Sequence, residues 1–280
     1  MIPLLLCGRY QLRLERPLLM GILNVTPDSF SDGGLFRCID AAVKHAETMV
    51  RDGAVMIDIG GESTRPNAQP VCPNEEMERV LPVLERLQSL GVPLSVDTRR
   101  TSVMREALKI GVDLINDISA LEDEGALSLL QQEKVAVCLM HKQGVPDTMQ
   151  ANPVYENVLD EVSCYLLDRV NACIAAGIQR ERLLVDPGFG FGKTLKHNLT
   201  LLHGLSGLQQ RVAVPLLVGL SRKAMLGEIT GEATPAERVG ASVAIAIEAM
   251  RHGVAILRVH DVKATRQALQ VFGVLQESSA

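Results

Sequence analysis

Apolar residues gather in eight runs of strand length, at about residues 18–25, 55–60, 93–97, 113–118, 135–140, 183–186, 215–220 and 255–260. The runs are rich in Val, Ile and Leu and lack a clear period of two. Strands buried on both faces read this way, which predicts a parallel sheet covered by helices. Between the runs the spacing changes to three and four: Ile39, Ala42, Val43, Ala46, Met49 and Val50 form one helical stripe, and Leu159, Val162, Leu166, Val170, Cys173 and Ile174 another. Eight strand-helix units in 280 residues leave about 35 residues for each, the usual size of one unit in an eight-fold barrel. The prediction is an α/β fold, one domain over 1–280, built as a single (β/α)8 TIM barrel. An open doubly wound sheet also alternates, but more often stops at about five to seven strands. Ahead of the first unit, Leu4 and Leu6 before Gly8, with Tyr10, Leu12 and Leu14 alternating after it, predict an N-terminal β-hairpin.

Composition narrows the partners. A hydrophobic content of 47% supports a large core, and a net charge of −5 argues against nucleic acid or an anionic membrane as the main ligand. A small molecule is the better expectation. Six cysteines, at 7, 38, 72, 138, 164 and 173, form no C-x-x-C pair, and several sit inside apolar runs as buried thiols do. This points to a reducing, cytoplasmic setting. No apolar run approaches membrane-spanning length.

In such a barrel the chemistry lies where the strands end. The first run ends in Asn24, the second passes Asp58 into "GGESTRP", and the third ends in Asp97 and Thr98. The fourth carries Asn116 and Asp117, the fifth Met140 and His141, the sixth Asp186, the seventh "GLSRK", and the eighth Arg258 and His260. A single polar residue at a strand end, such as Asp58 or Thr98, marks only the end of the strand. Eight together make a functional rim. The stretch "DPGFGFGKT" at 186–194 resembles a phosphate cradle, but Pro187 stands where a Walker loop needs its first glycine, and Lys193 where a dinucleotide fingerprint needs its third. What remains is a buried strand ending in an acid, followed by a turn whose backbone comes close to something flat.

The rim groups fall into two chemistries. Arg65, Arg258 and His260 with the amide of Asn24 suit a pyrophosphate carrying a divalent metal. Asp97, Asn116, Asp186 and Lys223 suit a heterocycle such as a pterin, whose ring N–H and amino groups donate to carboxylates while its carbonyl accepts from an ammonium. Phe30, Phe189 and Phe191 fall in the rim loops, where a ring would stack, although loop packing would also use them.

The blocks "MGILNVTPDSFSDGG" at 20–34, "DIGGESTRP" at 58–66, "SVDT" at 95–98, "NDI" at 116–118, "LMHKQG" at 139–144, "DPGFGFGK" at 186–193, "LVGLSRK" at 217–223 and "RVHDV" at 258–262 resemble the dihydropteroate synthase family, in order and across nearly the whole chain. The resemblance implies a transferase of folate biosynthesis. It would join dihydropterin pyrophosphate to p-aminobenzoate with release of pyrophosphate, use Mg2+, form a homodimer and be a target of sulfonamides. It assigns the pterin to Asp97, Asn116, Asp186 and Lys223 with Ile118 and Met140 as apolar walls. The metal and pyrophosphate fall to Asn24, Arg65, Arg258 and His260, and p-aminobenzoate to Phe30, Thr64, Pro66, Phe191, Ser221 and Lys223. Asp97, Lys223 and Arg258 would carry the catalysis. Asn67 departs from the glycine that usually follows "STRP", and Ala224 from the serine that often follows "SRK".

Other classes remain to be separated: a Schiff-base aldolase with Lys223 as nucleophile, a pterin-binding methyltransferase module on the same barrel, and a catalytically silent pterin-binding protein. A helix over about 235–251 carries two apolar stripes, Val239, Val243, Ala246 and Met250 on one side and Ala241, Ile245 and Ala249 on another. A helix apolar on two faces is buried twice, which predicts a dimer through it.

Overall fold

The computed structural model describes residues 4–26, 34–62, 71–144, 149–150 and 152–277. A hairpin of β1 (Leu4–Cys7) and β2 (Tyr10–Arg13) precedes the parallel strands β3 (Leu18–Asn24), β4 (Met56–Gly60), β5 (Leu94–Asp97), β6 (Leu114–Asp117), β7 (Ala136–Met140), β8 (Leu183–Asp186), β9 (Leu217–Val218) and β10 (Ile256–Val259). Strands β3 to β8 pair in chain order, β10 lies between β3 and β9, and a parallel bridge from Val185 to Leu216 brings β8 to β9. The ring thereby closes as a (β/α)8 barrel. Helices α1 (Gly34–Asp52), α2 (Pro73–Leu87), α3 (Thr101–Ile110), α4 (Ala126–Gln131), α5 (Val158–Ala175) and α6 (Leu195–Val212) follow β3 to β8 in turn. Two helices, α7 (Ala224–Thr230) and α8 (Val239–Arg251), follow β9, and α9 (Val262–Glu277) follows β10.

The missing period of two has a direct cause. Outward residues such as Leu23, Ile57, Val96, Ile115 and Val137 pack under the helices. Their inward neighbours Met20, Met56, Leu114, Ala136 and Leu184 fill the lower barrel, so both parities are apolar there. The seventh run is shorter than its sequence predicts. Of 215–220 only Leu217–Val218 forms a strand. Pro215 has no N–H to give the ladder, and its carbonyl accepts from Val185 at 3.1 Å instead.

The hairpin forms as expected, with Leu5 and Cys7 of its first strand turned inward. Leu5 and Cys7 are buried while Leu4 is exposed. In this register Leu5 faces Leu12 and Cys7 faces Tyr10, so those four share a side and, with Leu14, the apolar ones cap the lower core. The two-residue turn explains the choice. Gly8, at φ +56°, lies so close to Asp113 that an added Cβ would sit 2.8 Å from its Cα. The Asp113 carboxylate accepts from the Arg9 backbone at 3.1 Å, from Arg9 Nε at 3.0 Å and Nη2 at 2.9 Å, and from the Leu94 N–H at 3.0 Å.

Asp113 therefore fastens the hairpin to the start of β5. Asp113→Ala should lower unfolding stability by about 2–3 kcal/mol, because the Leu94 N–H and the Arg9 guanidinium lose a charged acceptor together. Urea denaturation measures this, and an unchanged midpoint would show that the hairpin is held by its apolar contacts alone.

Candidate active site at the barrel mouth

Above the apolar floor the inward residues become polar. Parallel register sets Asp58 beside Ser95, Gly60 beside Asp97, Asp97 beside Asn116, and Met140 beside Asp186. Arg258 enters this layer from β10. Its Nε donates to Asp58 Oδ2 at 2.6 Å and its Nη2 to Asp97 Oδ2 at 2.8 Å. Asp58 also accepts from Asn116 Nδ2 at 3.0 Å and from the Ser95 hydroxyl. A polar residue that sequence alone leaves as a strand end is thus fully buried at the centre of the layer. The sign it carried was its parity, two residues before Gly60 on the inward face.

Arg258 differs from its expected grouping. Instead of standing only with Asn24 and His260, it links two acids of the layer, because a buried guanidinium requires carboxylate partners. Those acids in turn raise its affinity for its proton, more than offsetting burial. Asn24 remains close by. A Cβ added at Gly60 would lie 3.7 Å from Asp97 Oδ2 and 3.8 Å from Asn24 Oδ1, so amide and carboxylate flank that glycine.

The acids are tuned by their surroundings. Burial pushes the Asp97 carboxyl up to about 7, against the pull of Arg258 and with help from the neighbouring acids Asp58, Glu76 and Asp117. Asp186 is also raised by burial, opposed by its hydrogen bond from the Gly188 N–H at 2.7 Å and by Lys223, Arg258 and Lys193. Asp117 turns elsewhere and accepts from the Ser119 and Leu121 N–H groups, each at 2.7 Å, which caps the turn after β6.

One wall of the mouth is apolar: Ile118, Met140 and Phe191 pack together with Met149, a residue the sequence did not single out. Lys223 Nζ lies 4.2 Å from the centre of the Phe191 ring. Phe189, one of the rings expected at the rim, is instead buried in the core beneath the helices. Alternating glycines at φ +70°, +79° and +64°, Gly188, Gly190 and Gly192, turn the two aromatic side chains to different environments.

The last two turns are tied to each other. Ser221 Oγ accepts from the His260 N–H at 3.2 Å and lies 3.1 Å from its Nδ1. Between Ser221 and Lys223, Arg222 takes φ +60°, a left-handed conformation unusual for a side chain of its size. It is held by Asp261 at 2.6 and 3.0 Å and by Ser242, whose Oγ accepts from the Arg222 N–H at 2.9 Å. Arg238 Nη1 donates to the Arg222 and Lys223 carbonyls at 3.1 and 3.3 Å.

Phe30, Thr64, Arg65, Pro66 and Asn67 lie outside the described residues. The chain on either side of 63–70 is held by residues not anticipated from sequence. Glu62 accepts from the Val71 N–H at 3.2 Å, from Arg99 at 3.2 and 3.3 Å, and from both terminal nitrogens of Arg100 at 3.2 Å. Arg100 also bonds Glu76 and the Val71 carbonyl. Burial alone would raise Glu62, but Arg99 and Arg100 outweigh it and hold the carboxyl below its usual range.

Known proteins share this fold. The model of the pterin binding enzyme family matches residues 20–260. The dihydropteroate synthase of Neisseria meningitidis serogroup B is 52% identical over 273 residues, covering 96% of each chain. A Xanthomonas albilineans dihydropteroate synthase structure with 4-aminobenzoic acid is similar at a TM-score of 0.93 and 47% identity, over 99% of each chain. A Yersinia pestis dihydropteroate synthase in complex with a sulfonamide drug is similar at 0.91 and 47%, over 98% of this chain and 99% of that one. With a match of this length and a mouth built from the same strand ends that carried the sequence blocks, the chain belongs to the pterin binding enzyme family, among the dihydropteroate synthases, which are transferases of folate synthesis.

Proposed function

We propose that the barrel mouth binds a dihydropterin pyrophosphate deep and p-aminobenzoate above it, and joins them through a dissociative reaction. The observation that carries this reading is the buried layer in which Asp58 and Asp97 share Arg258 while Asp186 stands beside Met140 and near Lys223. Asp97, Asn116 and Asp186 would meet the donor edge of the pterin, Lys223 its carbonyl, and Ile118 and Met140 its faces. Phe30, Thr64, Pro66, Phe191, Ser221 and Lys223 would form the p-aminobenzoate pocket. Arg65, Arg258 and His260 would hold the pyrophosphate. The sulfonamide bound by the Yersinia relative extends to this chain on the same reading, as a ligand of the p-aminobenzoate pocket.

Among the described residues no group of three or more His, Cys, Asp or Glu side chains is arranged to hold a metal ion. That fits Mg2+ brought by the substrate, since Mg2+ keeps most of its waters and takes only one or two protein oxygens beside phosphate. Asn24 would supply the protein oxygen, and the bound ion would neutralise charge on the leaving group. The chain's own residues do the rest. The carbon–oxygen bond to the pterin methylene breaks and its electron pair leaves with pyrophosphate, held by Arg258 and His260. The carboxylates of Asp97 and Asp186 favour the cation spread into the ring. The amine of p-aminobenzoate then forms the carbon–nitrogen bond and sheds one proton. No protein nucleophile is required, which separates this reaction from Schiff-base chemistry at Lys223. We further propose cytoplasmic location, which suits six free thiols.

We also propose a homodimer through α8, with a revised face. The buried side is Ser242, Ile245, Ala246 and Ala249, so Ala246 lies with Ile245 and Ala249 instead of with Val239, Val243 and Met250. Val239, Val243, Ile247 and Met250 stay partly exposed and form the outer stripe. Light scattering at micromolar concentration should give the mass of two chains, and a monomer would remove this proposal.

Asp97 predicts a pH dependence. Its carboxyl is poised at about 7 in the free site. Donors on the pterin would favour the anion and lower that value, so binding expels a proton. Affinity should therefore rise as the pH climbs from 6 to about 7 and level off above it, by up to roughly tenfold per pH unit. Calorimetry in buffers of different ionisation enthalpy should register proton release near pH 7, and Asp97→Asn should abolish it. Binding independent of pH would detach Asp97 from the pterin.

The bond order of the reaction is open to an isotope test. Pterin pyrophosphate labelled with ¹⁸O in the bridging position, held with Mg2+ and no amine, should move its label into the terminal oxygens of the same phosphate. Asp97→Asn and Arg258→Ala should slow scrambling and turnover together, since both pass through one ion pair. A label that stays in place over many turnover times, in a closed complex able to rebind pyrophosphate, would indicate direct displacement by the amine.

A further inference from the structure

We infer that Lys193, which the reaction itself does not use, is a positioning residue that sets the p-aminobenzoate pocket by holding the glycine turn after β8 against the end of β7. This rests on the assignment of Phe191 to that pocket.

Lys193 is only 3% exposed, and its ammonium finds a partner for each proton. Nζ lies 2.9 Å from the Gly188 carbonyl, 3.1 Å from the Phe191 carbonyl and 2.9 Å from His141 Nδ1, with the His141 carbonyl at 3.4 Å. Burial, with Lys193 beside it, holds His141 down at about 3, so the imidazole is neutral and its Nδ1 can accept. Lys193 in turn is lowered to about 7 by burial, partly offset by Asp186. A buried ammonium with three fixed acceptors costs desolvation, and that cost is met only while the three stay in place.

What they fix is a turn with little freedom. A Cβ at Gly188 would fall 1.8 Å from the His141 carbonyl oxygen, and one at Gly192 would fall 2.4 Å from that of Gln143. The turn therefore lies flat on the chain that leaves β7. Tyr155 donates to the Gly192 carbonyl at 2.9 Å, and Asn198 accepts from the Gly190 N–H at 2.9 Å. Phe191 is the residue whose own carbonyl Lys193 holds, and its ring carries Lys223. Moving that carbonyl moves the ring and, with it, the surface on which Lys223 rests. The backbone of Asp186 is held in β8 by the His141 N–H at 3.0 Å, and the turn reaches its carboxylate through the Gly188 N–H, so the pterin side feels a smaller part of such a shift than the Phe191 ring does.

The test is a comparison of two substrates. Lys193→Met keeps the bulk of the stem and removes the three bonds. It should raise the KM for p-aminobenzoate about tenfold or more, while pterin pyrophosphate affinity changes by less than about threefold. Tyr155→Phe, which removes one bond from the same turn, should shift the p-aminobenzoate KM in the same direction by about two- to threefold. If Lys193→Met does not fold, Tyr155→Phe decides alone. Equal loss of both affinities, or none in either variant, would overturn the proposal and leave Lys193 a residue of general stability. Phe191→Ala separates the underlying reading: an unchanged p-aminobenzoate KM there would refute the pocket assignment, whereas a raised KM with a normal Lys193→Met would refute only the staple.

Discussion

The mouth of the barrel depends on the guanidinium of Arg258 between Asp58 and Asp97. The two bonds join β10 to β4 and β5 across the barrel interior, between residues 200 and 161 positions apart in the chain. A cation only 18% exposed loses much of its hydration, which close anions replace, and a planar fork serves two carboxylates at once. Asp58 extends the arrangement by accepting from Ser95 and Asn116. No apolar repacking of the layer can satisfy these groups, so the barrel cannot close its mouth by collapse. A polar ligand then meets donors and acceptors already oriented, which is the preorganisation that a charge-separating reaction needs.

The floor below has the opposite character and explains why the mouth can be so polar. Met20, Met56, Leu114 and Leu184 fill the lower interior and the hairpin covers it with Leu5 and Cys7. The apolar surface buried there and under the helices drives folding, while the upper layer adds charge whose net worth is small. Burial and function are thus separated along the barrel axis. One consequence is that acids in the upper layer can keep raised proton affinities without threatening the fold, because the stabilising contacts lie elsewhere.

Much of this is legible in the sequence. Both parities of each strand are apolar in the floor, so runs without alternation announce a closed parallel sheet. Asp97, Asn116, Asp186 and Arg258 were visible as the polar ends of those runs. Asp58 was harder, because its importance lies in partners 37, 58 and 200 positions away. The same holds for Lys193 and for Glu62 with Arg99 and Arg100, whose roles exist only once two loops meet. Phe189 and Phe191 share one motif, and the left-handed glycine between them, Gly190, with Gly188 and Gly192 on either side, decides that the first enters the core. The inward face of the hairpin is hidden for a related reason: Leu4 and Leu5 are the same residue type, and Asp113, remote in sequence, selects between them.

Strand β9 carries this last point furthest. Only Leu217–Val218 forms a strand, so the ladder ends before Ser221 and Lys223. Their positions must come from somewhere else, and Arg222 between them stands at φ +60°, a conformation that costs about 1–3 kcal/mol without compensation. The compensation is the two-point grip of Asp261 together with Ser242 and the donors of Arg238. Asp261 immediately follows His260, which bonds Ser221. One short segment after β10 therefore holds the backbone twist of its neighbour through Asp261 and bonds the rim hydroxyl of Ser221 through His260. Where sheet hydrogen bonds run out, an ion pair and side-chain hydrogen bonds between consecutive loops fix the geometry, and by holding Arg222 in its left-handed turn they keep Lys223 over the Phe191 ring.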